Sequence, residues 1–246
     1  MLAGFYTVAS GILTQQRNIN VIGSNLTNSQ TAGYRAQRVI TTEFEKEYLT
    51  RLENGEYVDL GDTGSPCVLI DTVDTDVQYQ SLKETESPYD MALVGDGYFN
   101  VQGEDNLYMT RNGNFNIDEE GYLVLDGIGR VMGESGELRI GGSDFVVTQE
   151  GYVFDSNNQY VDKLLVTNPA EGSDIQKRPN GFFTCDNVET VDEIDVYQKT
   201  LERSNVDMNQ EYTNLIAAQR AFQACSTALS TVDNMNAKAA TLSSIT

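Results

Sequence analysis

Apolar positions recur at spacings of three and four at both ends of the chain. Near the N-terminus, Leu2, Phe5, Ala9, Ile12, Gln16, Ile19, Gly23 and Leu26 mark one seam, flanked by Val8, Leu13 and Ile22. A period near 3.5 residues predicts a helix there. Near the C-terminus, Leu215, Ala218, Phe222, Cys225, Leu229, Val232, Ala239 and Leu242 repeat the pattern. Asp207 followed by Gln210 resembles a capping box, and Glu211 suits the positive end of the helix dipole. Opposite the seams the faces are mostly Ser, Thr, Asn and Gln, where a solvated helix carries charge. Such faces fit helices with neighbours on several sides, and the two helices could pair as a coiled coil.

Between the helices the period changes to that of strands. Runs rich in Val, Tyr, Phe, Ile and Thr sit at 68–73, 77–80, 91–94, 98–101, 108–110 and 115–117. Others follow at 122–125, 138–140, 145–148, 152–154, 160–166, 182–185 and 194–199. Gly95-Asp96-Gly97, Arg111-Asn112-Gly113, Asp118 to Gly121, Asp126-Gly127 and Gly141-Gly142 punctuate them as turns. The expected fold is α+β: terminal α-helices pairing as a coiled coil, with a mainly antiparallel all-β middle domain, a sandwich or an irregular barrel. The expected segments are a helix and motif over 1–42, a connecting arm over 43–66, a β domain over 67–200 and a second helix over 201–246.

Charge sharpens this division. The 246 residues hold 37 acids and 16 bases, a net charge of −21. Residues 1–42 carry three bases and no acid, and residues 201–246 are close to neutral, so the middle holds 33 acids against 10 bases. Two nearly uncharged ends flank an acidic block. The balance excludes a nucleic-acid binder, which needs a basic surface. The chain has no His, and so lacks the usual general base and the commonest metal ligand. No apolar run reaches the ~18 residues of a membrane span. Met1 to Leu13 lack the basic start and cleavage site of a secretory signal peptide.

Little chemistry is on offer. Asp71, Asp74 and Asp76 could do acid–base work or hold a divalent cation, but a solvated strand edge suits so acidic a chain better. Residues 112–121 faintly resemble an EF-hand loop, yet Ile117 stands where that loop needs Gly, so two β-turns are expected. Gly127, Gly129 and Gly133 resemble a phosphate cradle with no helix after it. Cys67, Cys185 and Cys225 match no zinc spacing and cannot all pair within one chain; Cys225 reads as a small buried hydrophobe. No nucleophile can have a His partner, and no motif supports a Ser–Lys pair. No enzyme, metal or cofactor is expected.

Two terminal motifs then carry a resemblance. Ser24-Asn25-Leu26-Thr27-Asn28, followed by Thr31, Gly33 and Tyr34, is similar to the N-terminal motif of the flagellar rod and hook proteins. Leu201 to Asp207, with Ser204, Asn205 and Val206, and the later Gln219-Arg220-Ala221-Phe222 resemble that family's C-terminal motif. Gly95 to Phe99, Tyr108 to Phe115 and Asp118 to Val124 match its core. Departures are small: Ser24 for the family's Asn, Thr27 for its Ala, and Cys225 for a frequent Asn. Length and the absence of a large insertion favour the basal-body rod proteins over the longer hook protein, and Tyr34-Arg35-Ala36-Gln37 favours a proximal over a distal rod subunit.

The resemblance implies a structural subunit that stacks helically into a tubular drive shaft, carrying motor torque to the hook and forming part of the export channel. Its helices would line the tube as coiled coils, with Leu2, Phe5, Ile12, Ile19 and Leu26 buried against Leu215, Phe222, Leu229 and Val232 in the assembly. The implied partners are copies of itself, neighbouring proximal and distal rod proteins, ring proteins around the rod and the flagellar type III export apparatus. No nucleic acid and no membrane insertion are expected. The implied place is the flagellar basal body, beyond the inner membrane, in the periplasmic space or cell wall. The alternative from the residues alone is a secreted acidic β-domain binding protein with a terminal helical hairpin.

Overall fold

The computed structural model describes residues 2–43, 48–53, 56–62, 68–75, 81–103, 106–142, 144–170, 173, 175–178, 181–185, 187–191 and 193–243. It has an N-terminal helix, α1 (Leu2–Thr27), a C-terminal helix, α2 (Met208–Ser243), and a mainly antiparallel β middle. The chain divides into two units. A helical unit comprises Met1–Thr27, Gln37–Asp76 and Asp207–Thr246, and a β unit comprises Asn28–Ala36 and Val77–Val206.

In the helical unit α1 packs along α2. Gly11 marks the close approach, since a Cβ there would lie 3.4 Å from Cys225 Sγ. At the other end of α1, Asn25 hydrogen-bonds Glu211 in the first turn of α2. These two contacts make the helices antiparallel. Asp207 caps α2, its carboxylate accepting from the N–H groups of Asn209 and Gln210 at 2.9 and 3.4 Å. Gln210 does not complete the box; its amide donates along the helix to Asn214 at 3.1 Å. Thr14, Thr27, Thr213, Thr227 and Thr231 each donate to the carbonyl four residues back. Helix faces rich in Thr thus satisfy their own hydroxyls, which suits them to contact another helix without charge.

The segment expected as a connecting arm holds paired strands. β1 (Gln37–Glu43) runs antiparallel to β4 (Val68–Thr75), and between them β2 (Tyr48–Glu53) pairs with β3 (Glu56–Asp62). Their last pair sets Glu53 opposite Glu56.

The β unit is built around strand Tyr98–Gln102, which pairs with Leu107–Thr110, Gly129–Val131 and Val166–Pro169 in a nine-stranded sheet. Val146–Val147, Tyr152–Phe154 and Tyr160–Lys163 form a separate three-stranded sheet. The expected run 160–166 therefore splits: Tyr160–Lys163 serves one sheet and Val166–Pro169 the other, with Leu164 bridging to Gly133 between them. The expected strand 138–140 makes only isolated bridges nearby, Met132 to Glu137 and Tyr122 to Arg139, and 77–80 lies outside the described residues. Phe99, Val101, Leu123, Leu138, Val153 and Val166 are among the core residues, with the Phe99 and Phe115 rings edge to face at 5.2 Å. Apolar burial is the main force holding such a core together.

Candidate functional site

The two terminal motifs meet in the structure, one half in each unit. In the β unit, residues 33–36 lie beside residues 202–205. Gly33 N–H donates to the Glu202 carbonyl at 2.9 Å, Asn205 N–H to the Tyr34 carbonyl at 3.4 Å, and Ala36 N–H to Asn205 Oδ1 at 2.6 Å. Upstream, Thr31 N–H and hydroxyl both donate to Asn28, turning the chain. Gly33 sits at φ +66°, and a Cβ on it would lie 2.2 Å from the Arg111 carbonyl oxygen. The turn therefore needs glycine twice, for its backbone angle and for the close approach.

Tyr34 is fully buried, and Lys177 Nζ stands 4.2 Å over its ring while donating to the Arg35 carbonyl at 2.6 Å. Burial lowers the Lys177 ammonium to about 8. Arg35 and Arg111 share the Glu202 carboxylate at 2.7 and 3.7 Å, and all three side chains are at most 4% exposed. Arg111 also donates to the carbonyls of Leu93 and Gly95 at 3.3 and 2.6 Å. The motif's Ser204 accepts from Val206 N–H at 3.4 Å.

In the helical unit, Asn25 is 1% exposed and holds both backbone groups of Gln37: its amide donates to the carbonyl at 2.8 Å and its oxygen accepts from the N–H at 2.9 Å. It also bonds Glu211. One side chain thus ties α1, β1 and α2. Burial raises the Glu211 carboxyl above its ordinary value, while Asn25 and Arg38 oppose that shift. A groove of about 660 Å³ opens here, lined by Asn18, Val21, Arg38, Glu211, Asn214 and Ala218 among others.

The most buried positions of α1 are Thr14, Val21 and Asn25. Ile12, Ile19 and Leu26 of the expected seam are half-buried, Phe5 is exposed, and the side chain of Leu2 lies outside the described residues. On α2, Leu215, Phe222, Leu229 and Val232 are half-buried, and Gln219 and Arg220 exposed. Tyr6, Leu13, Ile216 and Met235 stand more than half in solvent. The helices turn a partly polar face toward each other because Asn25 and Gly11 find partners there, and leave apolar side chains outward. Gly11→Cys, in a Cys67→Ser, Cys185→Ser background, is expected to close a disulfide with Cys225 within one chain. A fast-migrating monomer on a non-reducing gel is the expected result; dimers alone, or no bond, would contradict antiparallel packing within the chain.

The remaining motif-like features are structural. Asp74 is exposed and accepts from Thr75 N–H at 2.9 Å, while Asp76 lies outside the described residues. Asp118 accepts from Glu120 and Tyr122 N–H groups as a turn. Gly129 opens a strand pressed against the Gln102 carbonyl. Among the described residues no cluster of acids and cysteines has the arrangement of a metal site. The sequence reading placed Arg35, Arg111 and Glu202 inside family motifs without giving them a role, and it passed over Lys177; Arg35 is one of just three charges in residues 1–42, a stretch otherwise without any.

Known proteins match the same regions. The family described as flagellar basal body rod protein matches residues 5–35, the flagellar hook protein FlgE/F/G D1 domain matches 92–154, and the flagellar basal body rod FlgEFG protein C-terminal matches 197–242. The flagellar basal-body rod protein FlgG of Bacillus subtilis (strain 168) is 28% identical over 273 residues, covering 96% of this chain and 97% of its own length. FlgG of Agrobacterium fabrum is 29% identical over 255 residues, with 92% and 94% covered. FlgF of Caulobacter vibrioides is 26% identical over 234 residues, with 89% and 88% covered. The matched segments hold the terminal motifs in the order the sequence shows them, and the relatives are covered almost end to end: the chain is a member of the flagellar basal-body rod protein family.

Proposed function

We propose that the chain is a structural subunit of the flagellar basal-body rod, polymerising helically into the shaft that carries torque to the hook and encloses part of the export channel. The observation that supports this most directly is the outward apolar set on two nearly chargeless helices, with Leu13 63% and Ile216 52% exposed. Side chains of that kind on a polar helix mark a contact with another protein. Phe5, Ile12, Ile19 and Leu26 become buried with Leu215, Phe222, Leu229 and Val232 of neighbouring copies as coiled coils, and the low charge of both ends lets identical chains crowd without repulsion. Contacts of this sort that do not close on themselves yield a helix rather than a ring. Neighbouring rod proteins, surrounding ring proteins and the flagellar export apparatus are the partners in this reading, and the basal body its place.

Ile216→Asp and Phe222→Asp are expected to abolish incorporation into basal bodies and motility in a strain lacking the native gene, while near-ultraviolet dichroism shows the tyrosine-rich β unit still folded. Ile216 is the sharper probe because it projects into solvent in the single chain. Normal assembly of the Ile216→Asp protein would overturn the proposal.

A further inference from the structure

The three-stranded sheet of the β unit has two unlike faces. Val147 and Val153 turn into the core. The opposite face carries Val146, Tyr152 and Tyr160, which are 58%, 36% and 55% exposed, beside half-buried Phe154. Register sets Val146 opposite Phe154 and Phe154 opposite Tyr160. The Tyr160 ring packs edge to face against Tyr152 at 6.0 Å and Phe154 at 6.1 Å. A solvated antiparallel face normally alternates to polar residues, so an aromatic face needs another explanation.

A cleft of about 550 Å³ adjoins it, lined by Pro88, Phe145, Val146, Asp144, Asp155 and Lys199 among others. Val146 belongs to both, so cleft and aromatic face form one surface. Gln198 fixes its walls, donating to the carbonyls of Pro88 and Phe145 at 2.8 and 3.2 Å and accepting from Val147 N–H at 3.2 Å. Glu134 pairs with Lys163 at 3.3 Å at the margin, and Lys163 Nζ stands 5.6 Å from the Tyr152 ring. The protein itself thus already sets one cation against these rings. Desolvation, with the charges of Asp162 and Glu134, raises the Tyr160 hydroxyl above its ordinary value, in keeping with a negative local field.

We propose that this surface docks a cationic segment of a different protein, in which Arg or Lys alternates with apolar side chains. The cations would lie over the tyrosine rings and against Asp144 and Asp155, and the apolar side chains would cover Val146 and Phe154. Charge decides against a second copy's β unit, because that unit holds 24 acids against 10 bases. Geometry decides against a sugar: interplanar angles of 62° and 70° leave no flat platform of parallel rings.

The test titrates the full chain with the peptide acetyl-Leu-Arg-Leu-Arg-amide, following tyrosine ring resonances by NMR, with acetyl-Leu-Glu-Leu-Glu-amide and chitohexaose as comparisons. The arginine peptide is expected to shift the Tyr152 and Tyr160 resonances saturably and less so at high salt. Asp155→Asn should weaken binding about threefold, and Tyr152→Ser/Tyr160→Ser, exposed positions that leave far-ultraviolet dichroism unchanged, should abolish the accompanying shift of the neighbouring Phe154 ring, which both proteins retain. Equal response to the acidic peptide, saturation by chitohexaose instead, self-association lost in the tyrosine variant, or no shift at either ring would each overturn the proposal.

Discussion

Replacing Glu202 by Ala is expected to cost the β unit about 3–5 kcal/mol of unfolding free energy, because it removes the carboxylate shared by two buried guanidiniums. Arg35, Arg111 and Glu202 are all at most 4% exposed. Water cannot replace the lost charge there, and the desolvation of the two cations loses its main compensation. Arg130 supplies the contrast. It pairs with Asp118, Glu120 and Glu137, its longest contact being 3.1 Å, and stacks on Tyr122 with its carbon 4.0 Å from the ring centre. By number of contacts it looks stronger, yet it stands 30% exposed and two of its carboxylates more so. Exposed pairs contribute little because water screens them. Arg130→Ala should therefore cost a small fraction of what Glu202→Ala costs. Urea unfolding followed by tyrosine dichroism ranks the two, and a ranking in the reverse order would contradict the assignment of the buried triad.

The residues in that triad show where sequence reading stops. The helices were legible because three-and-four spacing survives in the sequence of each element alone, and the strands 91–94, 98–101 and 152–154 because turn residues bound short β-branched and aromatic runs. Arg35 and Glu202 are brought together across most of the chain, and neither periodicity nor local spacing encodes such a pairing. The pairing of β1 with β4 is hidden for a related reason, since the two strands lie far apart in sequence. The inner face of α1 was missed through a different rule. Amphipathicity selects the seam of Ile12, Ile19 and Leu26, but Thr14 and Asn25 are buried more deeply because hydrogen bonds meet their polar atoms. Of the candidate site, then, the motif residues were legible and their roles were not. Asn25, Gly33 and Asn205 hold backbone, a function that shows only when the neighbouring segment is in place.

Gly33 and Gly127 have nearly the same left-handed backbone, at φ +66° and +74°, and so allow that role to be measured. A Cβ on Gly127 meets nothing within 4 Å, whereas one on Gly33 would lie 2.2 Å from the Arg111 carbonyl oxygen and 2.7 Å from the Asn112 nitrogen. Ala at either position carries the same conformational penalty, about 1 kcal/mol. Only at Gly33 must backbone also move, and the two nearest atoms in the way belong to Arg111, whose guanidinium is buried against Glu202. Displacing Arg111 disturbs that ion pair as well as the Gly33 N–H bond to the Glu202 carbonyl. Gly33→Ala is therefore expected to destabilise by more than about 3 kcal/mol, and Gly127→Ala by about 1 kcal/mol, in the same urea titration. In the double variant Gly33→Ala/Glu202→Ala the costs should sum to less than the two single values, because both act on one network. Full additivity would mean that Gly33 serves the turn alone; a shortfall would mean that the tight turn at Gly33 exists to seat Arg111 against Glu202.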